Sequence, residues 1–390
     1  MANPKKILIL SSGYYPNLVA GAEVAIREIT DRLSGQDFLF DMFTLRFDSN
    51  LPVFEKVGNV NVYRLGFTKR NPNLKELSSF PLYFNKVFFP VMATLKFRKL
   101  DREKHYDGIW AMMTYMGMTA VLMRMFIRKV NFFLNVQDGD NPRDIIGRKR
   151  IRLFVPLIRK AFREAVKIQV ISNYLGDWAK EMGGKNIIVI PNGVDIGRFQ
   201  REIGNAGRAK LIRQFGFEAG CKIVLTTSRL VYKNAVDVLI KSMTYLPDEV
   251  KLVIAGVGSE EEKLKQFVSE NKLSERVKFL GFVSQEEIPN LIASSDVFSR
   301  PSRTEGQGIS FLEAMAMRVP VVATLEGGIK DFLEDKKTGL VTLTDDPEDL
   351  ARKINICLRD DEVRRVIVEG AEKMVRERYD WNNIVIEMKN

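Results

Sequence analysis

At 390 residues, with 45% hydrophobic and 28% charged residues, the chain has room for two domains and is too apolar for a disordered protein. Its 60 Lys and Arg against 49 Asp and Glu give a net charge of +11. All of the excess lies in the first half, where residues 1–190 carry 30 basic and 17 acidic side chains while residues 191–390 carry 30 and 32.

Cys221 and Cys357 lie far apart in sequence without metal spacing, and His105 is the single histidine, so neither a disulfide scaffold nor a zinc site is expected. The N-terminal Ile/Leu run is too short for a signal sequence, and no run of about 18 uncharged apolar residues occurs. A cytoplasmic protein with buried thiols is expected. The basic first half asks for a polyanionic partner: nucleic acid, a membrane surface or an anionic acceptor.

In chain order, Lys5–Ser11 reads as a buried parallel strand. A loop with Pro16 follows, then a helix over Gly21–Leu33 with Ala22, Ala25, Ile26, Ile29 and Leu33 on one face. The dinucleotide fingerprint GxGxxG is absent. Gly21 opens this helix, where it either admits a phosphate or simply permits a tight turn. Apolar runs at Phe38–Leu45, Val60–Phe67, Gly108–Met113, Asn131–Gln137 and Lys167–Ser172 alternate with helical stretches. The second half repeats the scheme with strands at Ile223–Ser228, Lys251–Ala255, Val277–Leu280, Val297–Ser299, Val319–Thr324 and Leu340–Leu343. This alternation predicts two parallel sheets covered by helices. The turn at Pro191-Asn192-Gly193 divides the chain into residues 1–192 and 193–378.

Two basic segments stand out. Arg143–Lys167 carries nine Lys/Arg and two acids, with Leu153, Leu157 and Ala161 beside Phe154, Ile158 and Phe162 as a helical stripe. Phe80–Lys104 mixes five phenylalanines with Lys86, Lys96, Arg98 and Lys99. Such helices either lie on an anionic membrane or pack on a sheet with a solvated basic face. No nucleic-acid motif accompanies the charge.

The chemistry concentrates at Phe298–Glu313. An apolar segment ends at Pro301, a loop with Gly306, Gln307 and Gly308 follows, and a helix begins around Ile309 and Ser310. A glycine loop opening a helix presents free N–H groups and the positive dipole end to an anion. Glu305 and Glu313, eight positions apart, would accept from sugar and ribose hydroxyls. Ser310-x-x-Glu313 is also a capping-box pattern, which would make Glu313 a helix cap. Arg229 and Lys233, four apart after a strand, would point the same way if a helical turn starts there. Asp138-Gly139-Asp140 has the D-x-D spacing of metal–nucleotide sites in another fold, but it stands in the first half, away from the glycine loop.

These features resemble, in order, those of the retaining GT-B glycosyltransferases of family 4, the glycosyl transferases group 1. The resemblance rests on Glu305 and Glu313 as E-x7-E, Ser228-Arg229-Leu230 with Lys233, Leu252–Gly258, Gly327-Gly328, Pro191–Asp195 with Phe199, and Gly21-Ala22-Glu23. It implies two Rossmann-like domains facing across a cleft, the first for the acceptor, with residues 379–390 packing back on it, and the second for the donor. It implies Glu305 on the donor sugar, Glu313 on the ribose, and Arg229 and Lys233 on the diphosphate. Gly21, Gly256, Val283 and the 306–310 backbone would line the donor, and no metal or other cofactor would be required. Asp138 stands near where the family often has a histidine and is the expected contact to sugar or acceptor. Gln307 replaces an apolar residue and would alter contacts to the sugar.

The implied activity is transfer of a sugar from a UDP- or GDP-sugar to a glycan or lipid-linked acceptor. A nucleotide-sugar epimerase and a silent nucleotide-sugar-binding membrane adaptor are the alternatives.

Overall fold

The computed structural model describes residues 3–16, 20–33, 35, 37–72, 76–140, 146, 147, 149–200 and 203–389. The chain divides into two units by its contacts, Met1–Pro191 with Val385–Asn390, and Asn192–Ile384. The return to the first unit begins at Val385 rather than at 379. Trp381 and Ile384 pack on Gly193, and the Val194 N–H donates to the Tyr379 carbonyl (2.7 Å), which keeps that stretch with the second unit.

In the first unit, the apolar runs form an eight-stranded sheet. Its strands are β1 (Lys5–Leu10), β2 (Phe38–Leu45), β3 (Phe54–Val57), β4 (Val60–Leu65), β5 (Gly108–Met112), β6 (Phe132–Val136), β7 (Lys167–Val170) and β8 (Ile187–Val189). The order is β3-β4-β2-β1-β5-β6-β7-β8, and all neighbours are parallel except β3 and β4. That antiparallel pair is a hairpin with Val57 opposite Val60 across Gly58-Asn59.

The second unit holds β9 (Lys222–Thr227), β10 (Val250–Ala255), β11 (Val277–Gly281), β12 (Val297–Arg300), β13 (Val321–Ala323) and β14 (Leu340–Val341). Their order is β11-β10-β9-β12-β13-β14, all parallel. This is the doubly wound order in which the chain reverses direction between β9 and β12, and ligands bind beyond the strand ends at such a switch point. Alternation along the strands builds two cores. Ile223, Leu225, Val253 and Phe298 face one layer of helices, while Val224, Leu252, Ile254 and Val297 face the other.

The basic segment around residue 150 does not form the expected stripe. Residues 141–145 and 148 lie outside the described residues. Leu153 and Phe154 occupy an exposed turn, and the helix starts only at Val155, with Pro156 in its first turn. Proline is favoured there and cannot lie deeper in a helix without losing a hydrogen bond. Ile158, Ala161 and Phe162 are buried in the core of the first unit, so this part of the stripe packs inward. Among the described residues, no helix is long and apolar enough to cross a membrane.

The loops after β9 and β10 close on each other at Gly256. A Cβ there would stand 1.8 Å from the Ser228 carbonyl oxygen. Gly256→Ala is therefore expected to cost about 2 kcal/mol through forced displacement of that backbone. Urea unfolding read against wild type checks this, and an unchanged midpoint contradicts it.

Candidate active site

The site in the second unit is built around Arg300, a residue the sequence reading passed over. It ends β12 beside the end of β9 and is 6% exposed. Its guanidinium donates to Glu305 Oε2 (2.7 Å), Ser310 Oγ (3.0 Å), Ser302 Oγ (3.2 Å) and the Thr227 carbonyl (3.3 Å). It also lies 4.5 Å from the centroid of the Phe311 ring. Burial draws the Arg300 pKa below the ordinary guanidinium range, while Glu305 and Glu313 oppose that and Arg229 adds to it. Arg229, Arg300, Glu305 and Glu313 thus form one electrostatic group.

Glu305 is fixed on both sides. Oε1 accepts from the Gly306 N–H (3.0 Å), and its backbone carbonyl accepts from the Gly328 N–H (2.9 Å). Gly308 then turns the chain with φ at +86° and caps the helix Ile309–Ala316. A Cβ at Gly308 would fall 2.5 Å from the Phe311 ring and 2.8 Å from Arg300 Nη2, so glycine is required there.

The capping-box alternative is not formed. Gly308 is the cap, no side chain caps the helix, and Ser310 Oγ accepts from Arg300 instead. Glu313 stands one turn further along. Burial raises its carboxyl pKa from the ordinary 4.5 to about 7, against the pull of Arg198 and Arg300. Arg198 is a second group that the sequence reading missed.

Gln307 is anchored on backbone. It is buried, its Nε2 donates to the Asn192 carbonyl (2.8 Å), and its Oε1 accepts from the Asn192 N–H (2.9 Å). Its amide is spent on backbone. Arg229 and Lys233 are also arranged differently from the expected helical pair. A single 3₁₀ turn covers Tyr232–Asn234, Ala235 follows at φ +51°, and Arg229 lies before the turn. Asn234 Nδ2 donates to the Arg229 carbonyl (2.7 Å), and the Lys233 carbonyl accepts from the Arg303 N–H (2.7 Å). The first bond closes the β9 loop on itself, and the second ties it to the β12 loop. Gly256 serves the loop closure described above, and half-buried Val283 packs on the core around Phe298.

In the first unit, Gly21 is the exposed first residue of the helix Gly21–Arg32, and Glu23 Oε2 accepts from the Ala20 N–H (2.8 Å). Asp138 follows β6 and is buried. Its Oδ2 accepts from the Thr114 hydroxyl (2.8 Å) and N–H (3.3 Å), and burial raises its pKa. Among the described residues, no group of three or more His, Cys, Asp or Glu is placed to hold a metal ion. His105 is exposed and ends the helix Phe84–Lys104 at φ +53°.

The pattern described as glycosyl transferases group 1 matches residues 207–374, and that described as glycosyltransferase family 4 matches residues 19–198. The chain belongs to the group 1 glycosyltransferases. It is an enzyme that moves a sugar, of the hexosyltransferase kind, from a nucleotide-sugar donor. An uncharacterised glycosyltransferase of Methanocaldococcus jannaschii is 26% identical over 99% of this chain and 97% of its own. A GDP-mannose-dependent phosphatidylinositol monomannoside mannosyltransferase of Corynebacterium glutamicum is 35% identical over 49% of this chain and 52% of its own. The fold matches Anabaena HepE, solved with UDP and glucose, at a TM-score of 0.77 with 24% identity over 98% of each chain. It also matches sucrose-phosphate synthase of Thermosynechococcus elongatus at 0.83 with 19% identity, over 98% of this chain and 97% of that one. The architecture is therefore GT-B.

Because the Arg300–Glu305 pair is buried, Glu305→Gln strands a cation and is expected to cost about 3 kcal/mol of stability as well as transfer. Adding Arg300→Met removes that cation, so the double variant should regain most of the stability while transfer stays lost. Full transfer by the double variant contradicts a role for Glu305 in the reaction.

A carboxyl whose pKa rises on folding favours the folded state while protonated. The Glu313 contribution is complete below about pH 4.5 and is lost as the pH rises through about 7. Thermal unfolding of Glu313→Gln should show a flatter decline between pH 5 and 8 than wild type, and equal slopes contradict the burial argument.

Proposed function

We propose that this glycosyltransferase works with retention and without a metal, passing a UDP- or GDP-linked sugar to a glycan or lipid-linked acceptor of the cell envelope at the cytoplasmic face of a membrane. The observation that carries the reading is the buried Arg300–Glu305 pair beside the glycine-opened helix. It holds a carboxylate in fixed orientation next to a helix N-terminus, which suits one ligand carrying both hydroxyls and phosphate.

Glu305 would accept from hydroxyls of the donor sugar and Glu313 from those of the ribose. Arg229, Lys233 and the N–H groups at Gly308, Ile309 and Ser310 would neutralise the charge that grows on the departing diphosphate. With that charge met by fixed cations and a helix dipole, the reaction needs no metal. The leaving phosphate would then take the acceptor's proton on the face it vacates, which preserves the anomeric configuration. Acceptor recognition is assigned to the first unit, with Asp138 as its polar contact. Two neighbours support the donor class: HepE was solved with UDP-glucose, and the Corynebacterium relative is named for GDP-mannose.

Thermal unfolding with UDP, GDP and ADP tests the donor site. A nucleotide at about 100 times its dissociation constant adds roughly 2.7 kcal/mol to stability. UDP or GDP is expected to stabilise wild type and to lose that effect in Arg229→Ala. No shift with either, or an undiminished shift in the variant, contradicts the phosphate site. Product NMR then reads the anomeric configuration.

A further inference from the structure

The helix Phe84–Lys104 is apolar on two faces. One buries Phe89, Ala93, Phe97 and Leu100 against the sheet. On the opposite face Phe84, Val87, Phe88, Val91 and Leu95 recur every three or four residues and are 37 to 63% exposed. Phe80, just before the helix, is 83% exposed. The rings form a continuous line, with centroids of Phe80 and Phe84 6.0 Å apart, Phe84 and Phe88 5.6 Å, and Phe88 and Phe67 6.4 Å.

Beyond Leu95 the same face turns basic, with Arg98, Lys99 and Arg102 exposed. A contiguous apolar stripe of this kind marks a surface that something covers. The first half of the chain has an excess of 13 positive charges, from 30 basic and 17 acidic residues. A second copy would bring like charge to like charge at this face. An anionic bilayer answers both features, since aromatic and aliphatic side chains settle at the headgroup boundary and cations meet lipid phosphates.

We propose that this face seats the enzyme on an anionic lipid bilayer, with Phe80, Phe84, Phe88, Val91 and Leu95 entering the boundary and Arg98, Lys99 and Arg102 on the phosphates. The proposal rests on the reading above that the acceptor lies at a membrane, and it names the surface that docks.

Flotation of the full chain with phosphatidylcholine vesicles, with and without phosphatidylglycerol, provides the test. Wild type should float with the phosphatidylglycerol vesicles. Binding should fall at least about tenfold in V91E/L95E, whose changes lie on the exposed face and leave the core intact. R98S/K99S/R102S should lose the preference for phosphatidylglycerol. Absence of flotation, equal flotation on both vesicles, or undiminished flotation of V91E/L95E overturns the proposal. So does a wild-type dimer in light scattering that V91E/L95E dissolves, because the stripe is then covered by a second copy. The nucleotide shift is measured on the same samples. A shift without flotation defeats this proposal and leaves the transferase reading standing, while flotation without a shift does the reverse.

Discussion

The site in the second unit is organised around one buried cation. Taking a guanidinium out of water is costly unless its N–H groups are answered. Arg300 finds a carboxylate, two hydroxyls, a strand-end carbonyl and an aromatic face within its reach. Those partners come from the end of β9, from the loop after β12 and from the helix that follows. Satisfying Arg300 therefore fixes three segments at once. The position matters as much as the charge, because the end of β12 beside β9 is where the sheet reverses order and leaves an opening between loops.

Around that cation the backbone is drawn unusually close. The β9 and β10 loops touch at Gly256 and the helix begins at positive φ on Gly308. The β12 loop is held to the β9 loop through the Arg303 N–H, whose side chain also stacks 4.1 Å from the Tyr232 ring centroid. Rigid loops of this kind keep donor groups in place without paying ordering entropy when a ligand arrives.

Much of this was legible in the sequence, and the rest was hidden for identifiable reasons. Buried parallel strands such as Phe38–Leu45 announce themselves as continuous apolar runs, and the glycines of the 306–308 loop announce a helix start. The edge strand Phe54–Val57 was missed because it is short and half-exposed, although Gly58-Asn59 between Val57 and Val60 is a hairpin signal. Arg300 was missed because a charge at the end of an apolar strand reads as the strand leaving the core, when here the core closes over it. The charge of Arg198 acts on Glu313 from over a hundred residues away in sequence, and no local pattern records that. The orientation of Gln307 was out of reach for the same reason, since its partner is backbone. Val155 as a helix start was readable from Pro156, had the proline outweighed the apolar periodicity at Leu153 and Phe154.

Gln307 answers both backbone polar groups of Asn192, a residue 115 positions earlier, so the glycine loop has its far anchor outside its own stretch of sequence. The loop is consequently not a portable cassette. Transplanting residues 300–313 into a related scaffold would carry Arg300, Glu305 and Gly308 along but leave the glutamine facing whatever backbone the recipient offers. Chimeras of this enzyme would therefore keep their loop geometry when the two segments travel together.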